Sequence, residues 1–364
     1  MAQIGTIRAG TSVRPGEGDT RLVELWLIVV AALIALTAVI GAATRLTGSG
    51  LSITEWQPIM GIVPPLTEAQ WHEAFEKYKQ IPQYTEINRG MSLAAFKVIF
   101  AWEWGHRLVA RAIGVVFLVP FVWFAATRRI PHEMVPRLVV LFVLGGLQGA
   151  IGWFMVMSGL SERVSVSPYR LSLHLGCAVL ILAVTVWTVL DLRARRRPAG
   201  FDLATVTTGQ MWLAAAVVGL VYLQILSGAL VAGLKAGMTY NTWPLMDGRL
   251  FPVGLGQLSP WWLNLFENIT TVQFNHRMIA YAVVGLGLWQ AASAIRTADN
   301  MQVRRSGRWL GAALVLQMAL GIWTLLAWVP VSLGVAHQGG ALAVLAIALW
   351  HLHAVRRAHG GHAP

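Results

Sequence analysis

Two segments of the chain carry the same reactive side chains at the same spacing. WEWGHR at 102–107 and VQFNHR at 272–277 each place a His-Arg pair where a hydrophobic run begins. Two further histidines answer each other in the same way, His174 in RLSLHLGCAVL and His337 in SLGVAHQGGAL. An ionisable group inside an apolar run is costly and points to function, and imidazole is the commonest metal ligand. The two halves differ at one position. Glu103 stands three residues before His106, and Gln273 stands three residues before His276. A carboxylate can move a proton or hold a water, whereas an amide can only hydrogen-bond. The plainer reading of Glu103 is a solvated residue favoured near a helix N-terminus.

The four histidines split two and two between the halves. Zinc closes with four ligands, or with three and an open position. Two imidazoles from facing helices suit a porphyrin iron instead, with the macrocycle filling a bundle core. Gly105, Gly176, Gly339 and Gly340 lie near these ligands and are expected to leave room for a flat ring. Arg107 and Arg277 are placed to pair with propionates at the outer rim, or to reach lipid headgroups. If each half holds a haem-like ring, the Glu103–Gln273 difference predicts chemistry in the first half and electron supply in the second. The other six histidines fall elsewhere: His72 and His132 in loops, and His351, His353, His359 and His362 at or beyond the end of the last span. Cys177 is the single cysteine, which excludes an internal disulfide and cysteine-rich metal sites.

These residues must be positioned by membrane helices. Of 364 residues, 56% are hydrophobic and 12% charged, and the mean hydropathy is +0.60, far from the roughly 25% charged residues of a soluble domain. Seventeen Trp residues fit a chain with two membrane interfaces. A span needs about 20 mainly apolar residues, and eight such runs occur, near 25–44, 105–126, 138–157, 171–190, 211–234, 276–295, 310–329 and 333–352. The first is too long for a signal-peptide core and is read as an uncleaved span. The formal charge of +12 does not mark a nucleic-acid partner. Its basic residues sit in short clusters between spans, as the positive-inside rule expects. One side, with Arg8, Arg14 and Arg21, RARRR at 193–197 and RRSGR at 304–308, holds 16 of the 28 Lys and Arg. That side is expected to be cytoplasmic, with both termini on it. The long loops 45–104 and 235–275, and the four histidines near the first turns of even-numbered spans, are then on the outer side at one depth.

The chain repeats itself. GAATRLTGSGLSITEW (41–56) aligns without a gap on GALVAGLKAGMTYNTW (228–243), and LQGAIGW (147–153) resembles LQMALGIW (316–323). A four-span unit in tandem predicts an all-α integral membrane protein of two four-helix bundles, related by a pseudo-two-fold axis along the membrane normal. The expected organisation is a tail at 1–24, a first bundle at 25–190, a linker at 191–210, a second bundle at 211–352 and a tail at 353–364. Within the first loop, PPLTEAQWHEAFEKY offers Thr67 and Gln70 as a capping box, with Trp71, Phe75 and Tyr78 on one face. It predicts a short amphipathic helix on the outer membrane surface, or one that covers a site below it.

TRLTGSGLSITEWQPIMGIVPP, EWGHR, FNHR and VAHQ on this duplicated frame resemble the haem A synthase family over about 22–355. The resemblance implies oxidation of the C8 methyl of haem O to a formyl group by two hydroxylations, the gem-diol then losing water. It implies a haem b cofactor between His276 and His337 with Arg277 beside it. It implies haem O as substrate in the first half, with His106 and His174 as iron ligands, Arg107 nearby and Glu103 as the important carboxylate. It implies a bacterial inner-membrane location, haem O synthase as upstream partner and cytochrome oxidase as the destination of the product. Some bacterial members carry a cysteine pair in the outer loops; this chain lacks it and resembles the proteobacterial and mitochondrial branch. The electron donor is unidentified, and a homo-oligomer is compatible with the sequence.

Two other readings compete. A di-haem b electron carrier linked to quinol explains four histidines but not the Glu103–Gln273 difference. A transporter built on parallel repeats needs polar or broken helices at mid-membrane, whereas the polar residues here gather at the outer end.

Overall fold

The computed structural model describes residues 17–57, 59–161, 163–196 and 206–360; Arg8, Arg14, Arg197 and His362 lie outside them. Among the described residues there are nine α-helices and no strand: α1 (Glu17–Leu46), α2 (Glu68–Tyr78), α3 (Leu93–Ala126), α4 (Val135–Met157), α5 (Pro168–Arg195), α6 (Thr208–Gly233), α7 (Ile269–Thr297), α8 (Met301–Leu326) and α9 (Val331–Gly360). All but α2 are long and apolar enough to cross a membrane, so the protein is a multi-pass membrane protein with eight spans. In lipid every backbone polar group must be satisfied within the segment, which only a helix achieves here.

The spans close into two rings. In the first, α1 packs on α3 and α5, and α4 on α3 and α5; in the second, α6 packs on α7 and α9, and α8 on α7 and α9. The rings meet along α1, α5, α6 and α9. A hydrophobic cluster that includes Val179, Leu182, Val217, Leu310 and Leu345 runs across that junction, so the halves share a core. At the end where the arginines gather, Glu24 of α1 pairs with Arg193 of α5 at 2.8 Å and with Arg196. Asp191 of α5 holds Arg137 of α4 at 2.6 Å and His353 of α9 at 3.1 Å.

The helices outrun the apolar runs, and side-chain caps begin several of them, Thr207 for α6, Asn268 for α7 and Asn300 for α8. The largest difference is in α3. Its N-cap is Ser92, whose hydroxyl accepts from the Ala95 amide at 3.2 Å, and residues 93–104 add about 18 Å of helix beyond the expected span. This extension carries Phe96 and Phe100, and α2 packs on it. The Thr67–Gln70 capping box is present. The apolar face of α2 is spent inside the protein rather than on the membrane: Phe75 stacks on Phe96 at 4.9 Å, Trp71 meets Phe100 edge-on at 5.0 Å, and Tyr78 is fully buried. Glu68 of α2 and Lys97 of α3 form a salt bridge at 2.8 Å. The structure thus replaces the membrane-surface helix with a cap seated on α3.

Replacing Phe96 by Ala removes the ring on which Phe75, Trp71 and Tyr78 converge. It is expected to cost about 3–5 kcal/mol and to raise the rate of protease cleavage between 79 and 92, measured beside thermal unfolding in detergent. The hydrogen bond from Lys97, and then its charge, hold the Glu68 carboxyl below its ordinary value. The latch is therefore complete at neutral pH and is lost as acidification passes below that lowered value. Cleavage of the wild type should rise on acidification, and Lys97→Met should remove that pH dependence.

Candidate functional site

Each of the four histidines lies against a glycine of the span before it. A methyl group on Gly41 of α1 would stand 3.0 Å from Cε1 of His106 on α3. The same addition on Gly152 of α4 would stand 3.0 Å from His174 on α5. On Gly228 of α6 it would stand 3.2 Å from His276 on α7, and on Gly321 of α8 it would stand 2.8 Å from His337 on α9. The repeat is thus finer than the four-span unit: a two-span hairpin with glycine on its first helix and histidine on its second occurs four times. One helical turn before each glycine, on the same face, is Thr37, Gln148, Gln224 or Gln317.

Those glutamines reach the rings. Gln148 Nε2 is 3.0 Å from His174 Nδ1 and donates to the His174 carbonyl at 2.9 Å. Gln317 repeats both contacts on His337, at 3.1 and 2.9 Å. Gln224 Nε2 lies 3.1 Å from His276 Nδ1. His174 lies within electrostatic reach of His106, and His276 of His337, so each half brings two imidazoles together. Among the described residues, no three His, Cys, Asp or Glu side chains converge as a bare metal ion would require.

Glu103 and Gln273 hold the outer loops in complementary ways. The Glu103 carboxylate is 2% exposed. Its Oε2 accepts from the Ser52 hydroxyl at 2.7 Å and from the Ile53 amide at 2.8 Å, and its Oε1 accepts from Arg107 at 2.6 Å. Arg107 also donates to the carbonyls of Ile53 at 3.0 Å and Glu55 at 3.2 Å. In the second half Arg277 donates to the corresponding carbonyls, Tyr240 at 2.7 Å and Thr242 at 2.9 Å. Gln273 donates to Tyr240 at 3.0 Å. Both arginines therefore anchor the loop that follows the first helix of their half.

The donor set fits an iron porphyrin. Iron at Nε2 of an imidazole requires the proton on Nδ1 and an acceptor for it. Among the described residues the side-chain oxygen of Gln224 is buried without a partner, and turning that amide over offers it to such a proton, whereas Gln148 and Gln317 keep their amide nitrogens on the His174 and His337 carbonyls. His106 Nδ1 and Arg277 Nε are also buried and unpartnered, and the latter is a free donor for an acidic group. A cleft of about 640 Å³ opens at the basic end, lined by Arg193, Arg305 and Trp350 among others, and none of the four histidines lines it.

Two expectations are corrected. Gly176, Gly339 and Gly340 do not make room for a ring. An added methyl would crowd Leu226 at 2.6 Å at Gly176 and the Gln317 side-chain oxygen at Gly340, so those two positions permit close packing and the latter lets Gln317 reach His337, while at Gly339 it would meet Val39 at an ordinary 3.4 Å. Of the four expected glycines, Gly105 alone borders open space. Nor does every histidine sit in a first turn. His174, His276 and His337 are in the second turn of their helices, and His106 lies deep within α3, because that helix begins at Leu93. The residues not singled out from sequence are Gln148, Gln224, Gln317 and the four facing glycines. Their signal is a recurring Q-x-x-x-G, which becomes T-x-x-x-G in the first span.

Breaking a buried ion pair by removing one partner costs about 3–5 kcal/mol. Arg107→Ala strands the Glu103 carboxylate, while Arg277→Ala strands no charge. Thermal unfolding should show the larger loss for Arg107→Ala, and adding Glu103→Gln to it should recover part of that loss; equal losses would mean that the pair contributes nothing beyond the loop anchor.

Comparison with known proteins places the chain. Residues 24–349 match the COX15-CtaA family, described as cytochrome oxidase assembly protein. A protein named "Heme A synthase" from Parvibaculum lavamentivorans is 48% identical over 94% of this chain and 96% of its own length. Proteins of the same name from Bradyrhizobium sp. (strain ORS 278) and Bradyrhizobium diazoefficiens are 50% and 52% identical, over 92% and 93% of this chain and 91% and 93% of theirs. With the family matched along nearly its whole length and relatives this similar from end to end, the chain belongs to the COX15-CtaA family of cytochrome oxidase assembly proteins.

Proposed function

We propose that this protein is an enzyme that converts haem O to haem A, oxidising the C8 methyl group to a formyl group by two successive hydroxylations and loss of water. The near-full-length identity with proteins named haem A synthase carries this reading. The two halves then take different parts. His276 and His337 hold haem b, which supplies one-electron transfer when bound. His106 and His174 hold the iron of the substrate haem O and so fix the orientation of the macrocycle in the first ring of helices. Arg107 and Arg277 sit beside the first histidine of each half, where a guanidinium can pair with propionate.

Glu103 is the group in the first half that the second half does not reproduce. It lies one helical turn from His106 and shares its face of α3. Three donors aim at its carboxylate, so the side chain is positioned before substrate arrives. A carboxylate so placed can take the proton of one gem-diol hydroxyl and return it to the other as water leaves.

Packing supports the first half as the substrate half. α3 and α4 touch far less than their counterparts α7 and α8. Gly114, Gly145, Gly146 and Gly149 border open space, and the repeat places Val284, Leu314, Val315 and Met318 at the matching positions. Leu314 is buried and packs against Gly287 of α7, closing that seam. A looser α3–α4 seam facing lipid admits an amphiphile with a long prenyl tail. The Arg-rich end and both termini face the cytoplasm by the positive-inside rule, which puts the histidines toward the periplasm. A haem O synthase is the source of substrate, a separate donor supplies electrons, and self-association remains compatible with this arrangement.

Expression in a host that makes haem O but no haem A, followed by mass analysis of extracted pigments, tests the reading. Wild type should yield haem A. Glu103→Ala should stall conversion with haem b retained, and His276→Ala or His337→Ala should empty the haem b site. Two stoichiometric haem b groups and no haem A would instead favour an electron carrier. Gly145→Leu, which installs the second half's residue, should slow conversion several-fold at unchanged haem b content.

A further inference from the structure

The cleft at the arginine-rich end lies between the two halves. Ile28 and Ala31 of α1 and Val186 and Val189 of α5 wall it on one side, and Ala346 and Ile347 of α9 on the other. Arg193 of α5, Arg305 of α8 and Arg357 of α9 gather at its mouth, and no acidic residue lines it. Along α9 the lining runs from Ala346 to Arg357, about 16 Å. Arg193 spends Nε and one terminal nitrogen on Glu24, at 2.9 and 2.8 Å, and keeps the other terminal nitrogen. Arg305 is exposed and has no hydrogen bond or ion pair among the described residues.

The repeat supplies a control. HLGCAVLILAVTVWTVLDLRA (174–194) aligns without a gap on HQGGALAVLAIALWHLHAVRR (337–357). At the matching end of the other seam, Asp191 stands for Ala354, Glu133 for Gln302, Pro136 for Arg305 and Ala194 for Arg357. Its two acids are held by Arg137, His353 and Arg195. Trp187, the counterpart of Trp350, meets His353 edge-on at 5.1 Å and Arg356 at 5.9 Å. Charge is thus balanced inside the protein at one seam and left in excess at the other, where Trp350 has no aromatic ring or cation against it among the described residues.

We propose that this cleft binds the phosphate of one anionic phospholipid, with an acyl chain along its apolar wall. Guanidinium groups match phosphate geometry, and basic pockets between membrane helices recognise anionic headgroups. The apolar wall belongs to the spans α1, α5 and α9 and lies on the membrane side of the arginines. That arrangement favours a lipid over a free phosphate, which gains nothing from hydrocarbon. Arg193 comes from the first half, Arg305 and Arg357 from the second, so one phosphate joins the halves and relieves the repulsion between their cations. The site depends neither on where haem binds nor on which way the chain crosses the bilayer.

The full chain, purified in detergent and titrated with phosphatidylglycerol, phosphatidylcholine or glycerol phosphate, is followed by thermal unfolding and native mass spectrometry. Phosphatidylglycerol should raise the unfolding midpoint by several degrees and stay bound as a single molecule; the other two should do neither. Arg305→Gln and Arg357→Ala should each weaken phosphatidylglycerol binding about 5-fold. Arg308→Gln, an equal loss of charge on α8 outside the cleft, should leave it unchanged. Equal retention of phosphatidylcholine, or equal weakening by Arg308→Gln, reduces the effect to general surface attraction and overturns the site. Stabilisation by glycerol phosphate makes it a site for a free anion and overturns the lipid assignment. No stabilisation of the wild type by any of the three removes the site altogether, whatever the variants do.

Discussion

The contact between a glycine and an imidazole, made four times, is the constraint on which this structure turns. Lipid tails are as apolar as leucine, so membrane helices gain little by hiding hydrophobic surface from one another; they associate where small residues permit close packing. Here the small residue of each hairpin lies opposite a histidine. Its missing methyl sets how near the two helices come, since an added one would crowd Cε1 at 2.8–3.2 Å. Helix spacing and ligand orientation are thus one property. A polar ring that would be costly in hydrocarbon becomes part of the packing, and in three of the four hairpins a carboxamide reaches its ring nitrogens.

Duplication makes the differences informative, because every shared feature acts as an internal control. The second half is closed: Gln224 and Gln317 attend both its imidazoles, and Leu314 fills the seam between α7 and α8. The first half departs from this plan around a single helix. α3 is extended, capped by α2, loosely joined to α4, carries the buried Glu103, and faces Thr37 where its counterpart faces a glutamine. On the division of labour proposed above, a half that only exchanges electrons benefits from rigidity, whereas one that admits a large substrate must open, and the departures from the repeat gather on the helix with the looser seam.

The sequence revealed the spans and the pairing of the histidines because both are written in residue type. Apolar runs give the first, and four similar motifs give the second. It did not reveal the long start of α3. Residues 93–104 belong to a helix begun by the cap at Ser92, and Phe96 and Phe100 face α2 rather than lipid. The glycine–histidine contacts were hidden for a different reason. They depend on the register between two helices, so Gly176, Gly339 and Gly340, adjacent in sequence to the ligands, looked better suited than Gly152 or Gly321, which touch them. Arg107 and Arg277 looked free at the rim because loop carbonyls carry no sequence signal, yet those carbonyls occupy much of each guanidinium.

The exchange of Glu103 for Gln273 reaches further than a change of charge. Glu103 accepts from the amide of Ile53, and Gln273 donates to the carbonyl of Tyr240, the residue that the repeat aligns with Ile53. A side chain with only acceptors selects the N–H of that residue, and a side chain with a donor selects its C=O. The loop path and the identity of position 103 are therefore one choice. A buried carboxylate also has to be neutralised, and Arg107 does this from the same helix face while holding the Ile53 and Glu55 carbonyls. The placement of Glu103 and the seating of the outer loop on the first half consequently draw on the same hydrogen bonds.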